Sequence, residues 1–165
     1  MWQGLICDTI TTEVSAKVAR YGDVQALFEE QKGANDMTLE QLCTEALAMR
    51  ERAYCPYSHF AVGAALESEE GTVYTGCNIE NAAYSPTLCA ERVALAKAVS
   101  EGARQFVRLV IASSGEDYCV PCGVCRQMLW EFAPDLEVIC LNGQGEWRTF
   151  TLRELLPQAF DSSKL

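Results

Sequence analysis

No stretch of the chain approaches the ~20 consecutive apolar residues that a membrane-spanning helix needs, which argues against a helical membrane protein. Positive charge is scarce. There are 13 Lys and Arg against 23 Asp and Glu, for a formal net charge of −10. Proteins that hold polynucleotide phosphates usually carry a basic stripe, so nucleic acid is not an expected partner. The N-terminal stretch MWQGLICDTITTEVSAKVARYGD lacks a basic start and a long apolar centre, and is expected to be neither a secretory nor a transit peptide. Internal repeats and low-complexity tracts are also missing.

What the chain does have is cysteine. Nine in 165 residues is a high and odd number. A secreted disulfide scaffold would be smaller and hold an even count, so the expected setting is the reducing cytoplasm, with thiols buried or bound to metal. Hydrophobic residues make up 49% and charged ones 22%, as in a soluble globular protein of one domain.

Residues 1–36 differ from the rest. Val14, Val18, Tyr21, Val24 and Phe28 form a helical stripe interrupted by Gly22, and the breaker cluster Gly33-Ala34-Asn35-Asp36 follows. The segment is expected to be an arm or marginal helix, and residues 37–165 the domain. The arm carries a net −3, which leaves −7 on the domain.

The domain opens with a capping box, Thr38-x-x-Gln41, at the head of an amphipathic helix. The apolar runs Phe60 to Leu66 and Val73 to Cys77 flank the turn Ser68-Glu69-Glu70-Gly71, a hairpin signal. Residues 88–100 are apolar almost all round, so a helix buried on several sides is expected. Val107 to Ala112 reads as a central strand. Val124, Met128, Leu129 and Phe132 follow at helical spacing. Leu136 to Leu141 and Trp147 to Phe150 are further strands around an Asn142-Gly143 turn. A second capping box, Thr151-x-x-Glu154, starts a short helix that Pro157 stops. Alternating helices and strands predict a three-layer α/β/α fold around a mixed sheet.

Two segments point to chemistry: Cys89-Ala90-Glu91 and Pro121-Cys122-Gly123-Val124-Cys125, each at an expected helix start. Free N–H groups and the positive dipole end there favour thiolate, the form that binds metal. Cys122 and Cys125 are i,i+3 and can face one point, and a third thiolate from a facing helix would complete a trigonal base. Three protein ligands with one open position is how zinc is held for catalysis. Glu91, two positions from a ligand, can reach water in that open position without binding the metal, and so can act as general base and then general acid. Arg92 can donate to the sulfurs and offset the excess negative charge.

A Cys₃ zinc site with a non-ligand Glu and a P-C-x-x-C segment is the pattern of zinc nucleobase deaminases. From about residue 38 to 160 the chain resembles the small, tetrameric, Cys₃-type cytidine deaminases. The motifs are Cys55-Pro56-Tyr57-Ser58-His59-Phe60, Val62-Gly63-Ala64-Ala65-Leu66 and Gly76-Cys77-Asn78-Ile79-Glu80-Asn81-Ala82. They continue with Cys89-Ala90-Glu91-Arg92, Pro121-Cys122-Gly123-Val124-Cys125-Arg126-Gln127, and Glu154-Leu155-Leu156-Pro157 before Phe160. Val93 stands where Thr is common in that family, and residues 1–36 have no counterpart.

The resemblance implies a five-stranded mixed sheet and one zinc ion per chain on Cys89, Cys122 and Cys125, with Glu91 as proton shuttle. It further implies that Phe60 stacks on the pyrimidine, that Asn78 and Glu80 bind the ribose 3′-hydroxyl, and that the Ala90 backbone reads the base edge. Ala82, Tyr84 and Phe160 would reach a neighbouring subunit's site in a homotetramer. The implied reaction is hydrolysis of cytidine and deoxycytidine to uridine and deoxyuridine with release of ammonia. The acidic protein and Glu80 favour a neutral nucleoside over a nucleotide or strand.

Plainer readings stand beside these. Cys119 extends the run to C-x₂-C-x₂-C, so a closed four-thiolate structural site taking in Cys119 or Cys77 is an alternative, on a zinc-stabilised scaffold with no activity. Deamination of a cytosine-bearing antibiotic is another, against which Asn78-Ile79-Glu80-Asn81 speaks. Cys7, Cys43, Cys55, Cys77 and Cys140 are expected to be buried thiols. His59 and Tyr57 are expected in structural or interface roles.

Overall fold

The computed structural model describes residues 37–165. The expected N-terminal stripe and Cys7 lie outside the described residues. Helix α1 (Leu39–Arg50) starts as its capping box requires: Gln41 N–H donates to the Thr38 hydroxyl, and the Gln41 side chain accepts from the Thr38 N–H. Strands β1 (Val62–Ser68) and β2 (Val73–Cys77) form the antiparallel hairpin. Helix α2 (Ala90–Ser100), β3 (Phe106–Ser113), α3 (Gly123–Trp130), β4 (Glu137–Leu141), β5 (Trp147–Thr151) and α4 (Leu152–Leu155) follow. Glu154 closes the second capping box on Thr151.

The sheet has five strands in the order β2-β1-β3-β4-β5, and β3 with β4 is its one parallel pair among the described residues. Both faces are covered. On one side α2, α3 and α4 pack through Ala90, Ala94, Leu95, Ala98, Leu129 and Leu152 against Leu66, Leu109, Ile111 and Val138. On the other, among the described residues, α1 sets Leu42 and Ala46 on Ala65, Val110 and Ile139. This is the three-layer arrangement expected from the pattern. It also explains why β1 is buried at every position: a strand covered on both faces reads as a continuous apolar run.

Two glycines let helices sit close to the sheet. A Cβ on Gly63 would lie 2.0 Å from the Ala46 carbonyl oxygen in α1, and one on Gly76 would lie 2.3 Å from the Ala90 carbonyl oxygen in α2. Gly76 therefore sets the depth of the first turn of α2.

Two expectations are corrected, the start of one helix and the place of Phe60. The helix expected over 88–100 begins at Ala90, because Leu88 instead bridges Ile79. Within the single chain it buries Ala90, Glu91, Ala94, Leu95 and Ala98 and leaves Ala96 and Lys97 exposed. Phe60 lies outside β1, on the loop before it, and is 41% exposed. Of the helical stripe Val124, Met128, Leu129 and Phe132, Leu129 is buried and Phe132 packs against the core, while Val124 and Met128 are exposed.

The registers bring one end of the sheet into focus. Val62 at the start of β1 pairs with Ser113 at the end of β3, Gly63 pairs with Cys77 at the end of β2, and Ile111 pairs with Cys140 near the end of β4. Segments 55–61, 78–89 and 114–122 all leave the sheet there, at the carboxyl ends of the parallel pair, where open α/β sheets bind ligands.

Candidate metal centre

Cys89 and Cys122 are the N-cap residues of α2 and α3, and Cys125 lies in the first turn of α3. Each helix start is therefore headed by sulfur, and the two starts meet. Cys89 Sγ is 3.8 Å from Cys122 Sγ, Cys122 Sγ is 3.5 Å from Cys125 Sγ, and the three sulfurs lie within 4.8 Å of one another. A tetrahedral zinc with Zn–S bonds near 2.3 Å separates its sulfurs by about 3.8 Å, so the spacing fits the ion. Among the described residues this is the single group of three His, Cys, Asp or Glu ligand atoms so arranged; Cys119 and Cys77 are not in it. The four-thiolate alternative thus lacks its fourth sulfur.

The electrostatics ask for a cation. Hydrogen bonding from Cys125, then from Arg92 and Cys122, brings the Cys89 thiol down to about 5. Cys125, fully buried, is pushed upward by the same shared hydrogen bond and by desolvation. One sulfur is a thiolate only while its neighbour keeps a proton. A dication would let all three ionise. Arg92 donates to Cys89 Sγ at 3.6 Å and to the Thr87 carbonyl at 2.7 Å, which also fastens the turn before α2.

Glu91 is 5% exposed beside this cluster. Burial pushes its carboxyl upward from the ordinary range, and Cys125 is within hydrogen-bonding reach of it. A buried carboxyl whose proton affinity is raised by desolvation is suited to moving protons. Ala90, between Cys89 and Glu91, is fully buried.

The other expected site residues fall on the loops of the same sheet end. Asn78 is 8% exposed, and its side chain is engaged: its Oδ1 accepts from the Val62 N–H at 2.8 Å and its Nδ2 donates to the Phe60 carbonyl at 2.8 Å. It therefore shapes the backbone that carries Phe60. The Glu80 carboxylate accepts from the N–H groups of Tyr57 and Ser58 and from the Ser58 hydroxyl, which holds it below the usual range. Ser58 is a residue that sequence reasoning passed over; its place in the Cys55–Phe60 motif was the available signal. Ala82, Tyr84 and Phe160 are exposed, Tyr84 with its ring 6.2 Å from that of Tyr57.

Of the remaining thiols, Cys140 is buried, but Cys43, Cys55 and Cys77 are only partly so, Cys43 at the margin of the face that α1 covers. Burial raises Cys43 and Cys140 to about 12 and Cys119 to about 11. His59 is exposed in a left-handed turn at φ 56.

Comparison with known proteins agrees with this architecture. Residues 36–141 match the family model described as the cytidine and deoxycytidylate deaminase zinc-binding region. The chain is 48% identical over 130 residues to a cytidine deaminase of Sporosarcina psychrophila, covering 78% of this chain and 96% of that protein. It is 46% identical over 130 residues to one from Halalkalibacterium halodurans, covering 78% and 98%. The crystal structure of a cytidine deaminase from Burkholderia pseudomallei superposes with a TM-score of 0.73 at 45% identity, covering 75% of this chain and all of that one. A mixed five-stranded sheet with a sulfur cluster at the carboxyl ends of its parallel strands defines a zinc-binding α/β protein. The chain belongs to the cytidine and deoxycytidylate deaminase zinc-binding family.

Proposed function

We propose that the chain is a zinc-dependent hydrolase that converts cytidine and deoxycytidine to uridine and deoxyuridine with release of ammonia. The observation that carries this reading is Glu91, buried beside three convergent sulfurs and not among them. A purely structural zinc site has no use for such a carboxyl, so the scaffold reading leaves it unexplained.

Zinc, one ion per chain, would be held by Cys89, Cys122 and Cys125, with Arg92 balancing the thiolate charge. Bound there, the ion supplies Lewis acidity that makes water at the site a better nucleophile at neutral pH. Glu91 takes a proton from the water that adds at C4 and delivers it to N3. It then moves the remaining hydroxyl proton to the 4-amino group, the C4–N bond breaks, and ammonia leaves the new carbonyl. Phe60 stacks on the ring, the Ala90 backbone reads the base edge, and Asn78 and Glu80 meet the ribose. A carboxylate held below its usual range would repel a 3′-phosphate, which favours a nucleoside.

Two further readings belong here. Ala82, Tyr84 and Phe160, exposed on one chain, would complete a neighbouring site in a homotetramer, and sedimentation should then give four chains per particle. Residues 37–165 would form the catalytic domain. A cytoplasmic setting suits the reduced thiols; among the described residues no helix is long and apolar enough to cross a membrane. The deciding experiment pairs zinc per chain with the loss of cytidine ultraviolet absorbance. One tightly held zinc with turnover is expected; zinc without turnover would move the assignment to a structural scaffold.

A further inference from the structure

Arg126 lies in α3, and its guanidinium reaches two carbonyls from different parts of the chain. Nε donates to the Pro121 carbonyl at 2.6 Å, and Nη1 donates to the Leu155 carbonyl at 2.8 Å. Pro121 is buried and directly precedes Cys122. Leu155 is the last residue of α4, where carbonyls lose their helical partners and a cation is the favoured substitute. The Arg126 N–H also donates to the Cys122 carbonyl at 3.0 Å. Next along the helix, Gln127 Nε2 donates to the Phe160 carbonyl at 2.8 Å.

Consecutive residues of one helix thus fasten both ends of segment 155–160 to the loop that carries two of the three sulfurs. Among the described residues Arg126 makes no ion pair, so its hydrogen-bonding capacity goes to main-chain carbonyls. Its planar fork can hold two carbonyls in a fixed relation; a lysine ammonium on its flexible stem cannot reproduce that geometry.

We propose that Arg126 is a positioning residue that locks the Cys122–Cys125 turn to the segment presenting Phe160, with Gln127 as a second tie. Metal retention and substrate affinity are thereby joined through one guanidinium. This rests on the reading of these cysteines as zinc ligands and of Phe160 as a substrate contact.

The test compares zinc-loaded wild type, Arg126→Lys and Gln127→Ala. It measures zinc retention against a chromophoric chelator, kcat and KM for cytidine, and the melting temperature. Arg126→Lys is expected to weaken zinc retention about tenfold, the low end for groups that support metal ligands from outside the coordination sphere, and to raise KM several-fold. Gln127→Ala is expected to raise KM while holding zinc like wild type, because it severs only the tie to residue 160. Wild-type zinc retention and KM in Arg126→Lys would overturn the proposal. So would a loss of zinc in Gln127→Ala equal to that in Arg126→Lys, which would mean the helix is merely loosened. If Arg126→Lys does not fold, an unchanged KM in Gln127→Ala overturns the shared clamp and a raised one supports it. Failure of wild type to bind zinc or turn over cytidine would instead overturn the functional reading, so the two failures separate.

Discussion

Glu91 meets two demands that usually conflict: it is ionisable, and it is almost entirely out of water. Desolvation raises its proton affinity, while the adjacent sulfurs and Arg92 supply the groups a cation would organise. Replacing its acid with an amide keeps shape and removes proton transfer. Glu91→Gln is expected to lower kcat by at least 10²–10⁴-fold while zinc stays bound, read by steady-state kinetics and metal analysis. Loss of the metal in that variant would reassign the residue to ligation. A second residue-scale device lies away from the site: Glu67, 1% exposed, takes two hydrogen bonds from Arg108 across β1 and β3, and Arg108 also binds the Met37 carbonyl. Only the Glu67 end is buried, the Arg108 side chain being 24% exposed, so the loss is that of a charged hydrogen bond. Glu67→Gln should lower stability by about 1.5 kcal/mol in chemical denaturation without changing KM. The pair was not legible in the sequence, because 41 positions separate its members and only the β1–β3 register joins them.

At the scale of elements, local chemistry was a reliable guide. Both capping boxes form, and both cysteines expected at helix starts are the N-caps of their helices. The limits appeared where an element's partner matters. The α3 stripe contained Val124 and Met128 beside Leu129, yet Cys125 and Leu129 are the residues of that helix that turn inward. Phe60 belonged to an apolar run, but Asn78 holds its carbonyl outside the strand. Gly76 links an element to the site. A methyl there would meet the Ala90 carbonyl at 2.3 Å and the Ala94 nitrogen at 2.6 Å, both backbone atoms of α2. The helix must then move off the sheet, carrying Cys89 and Glu91 with it. Gly76→Ala is expected to lower stability by about 3 kcal/mol and to weaken zinc binding in the same protein, measured by denaturation and chelator competition.

For the whole molecule, surface carboxylates contribute to its acid tolerance. Hydrogen bonds from Ser58 to Glu80, Arg153 to Asp135, Thr151 to Glu154 and Ser163 to Asp161 hold all four below their ordinary values of 4.5 or 3.8. Each binds its proton less tightly folded than unfolded. Their contribution is therefore present above those ordinary values and is lost as pH falls through the lowered ones. The melting temperature of zinc-free protein should fall as pH drops from 5 towards ~3. It should fall less in Glu154→Gln, which has already surrendered its share; identical profiles would exclude the effect.

The amino-acid sequence alone determined the periodicities, the caps, the acidic balance and the clustering of sulfur and carboxyl at helix starts, because each depends on residues within one or two turns of one another. Tertiary structure decided which helix face turns inward, that Cys119 stands apart from the other three sulfurs, and how Asn78, Ser58 and Arg126 brace loops far from them in the chain. Those outcomes depend on strand register and on which backbone groups burial leaves needing a partner, and neither exists until the sheet has assembled.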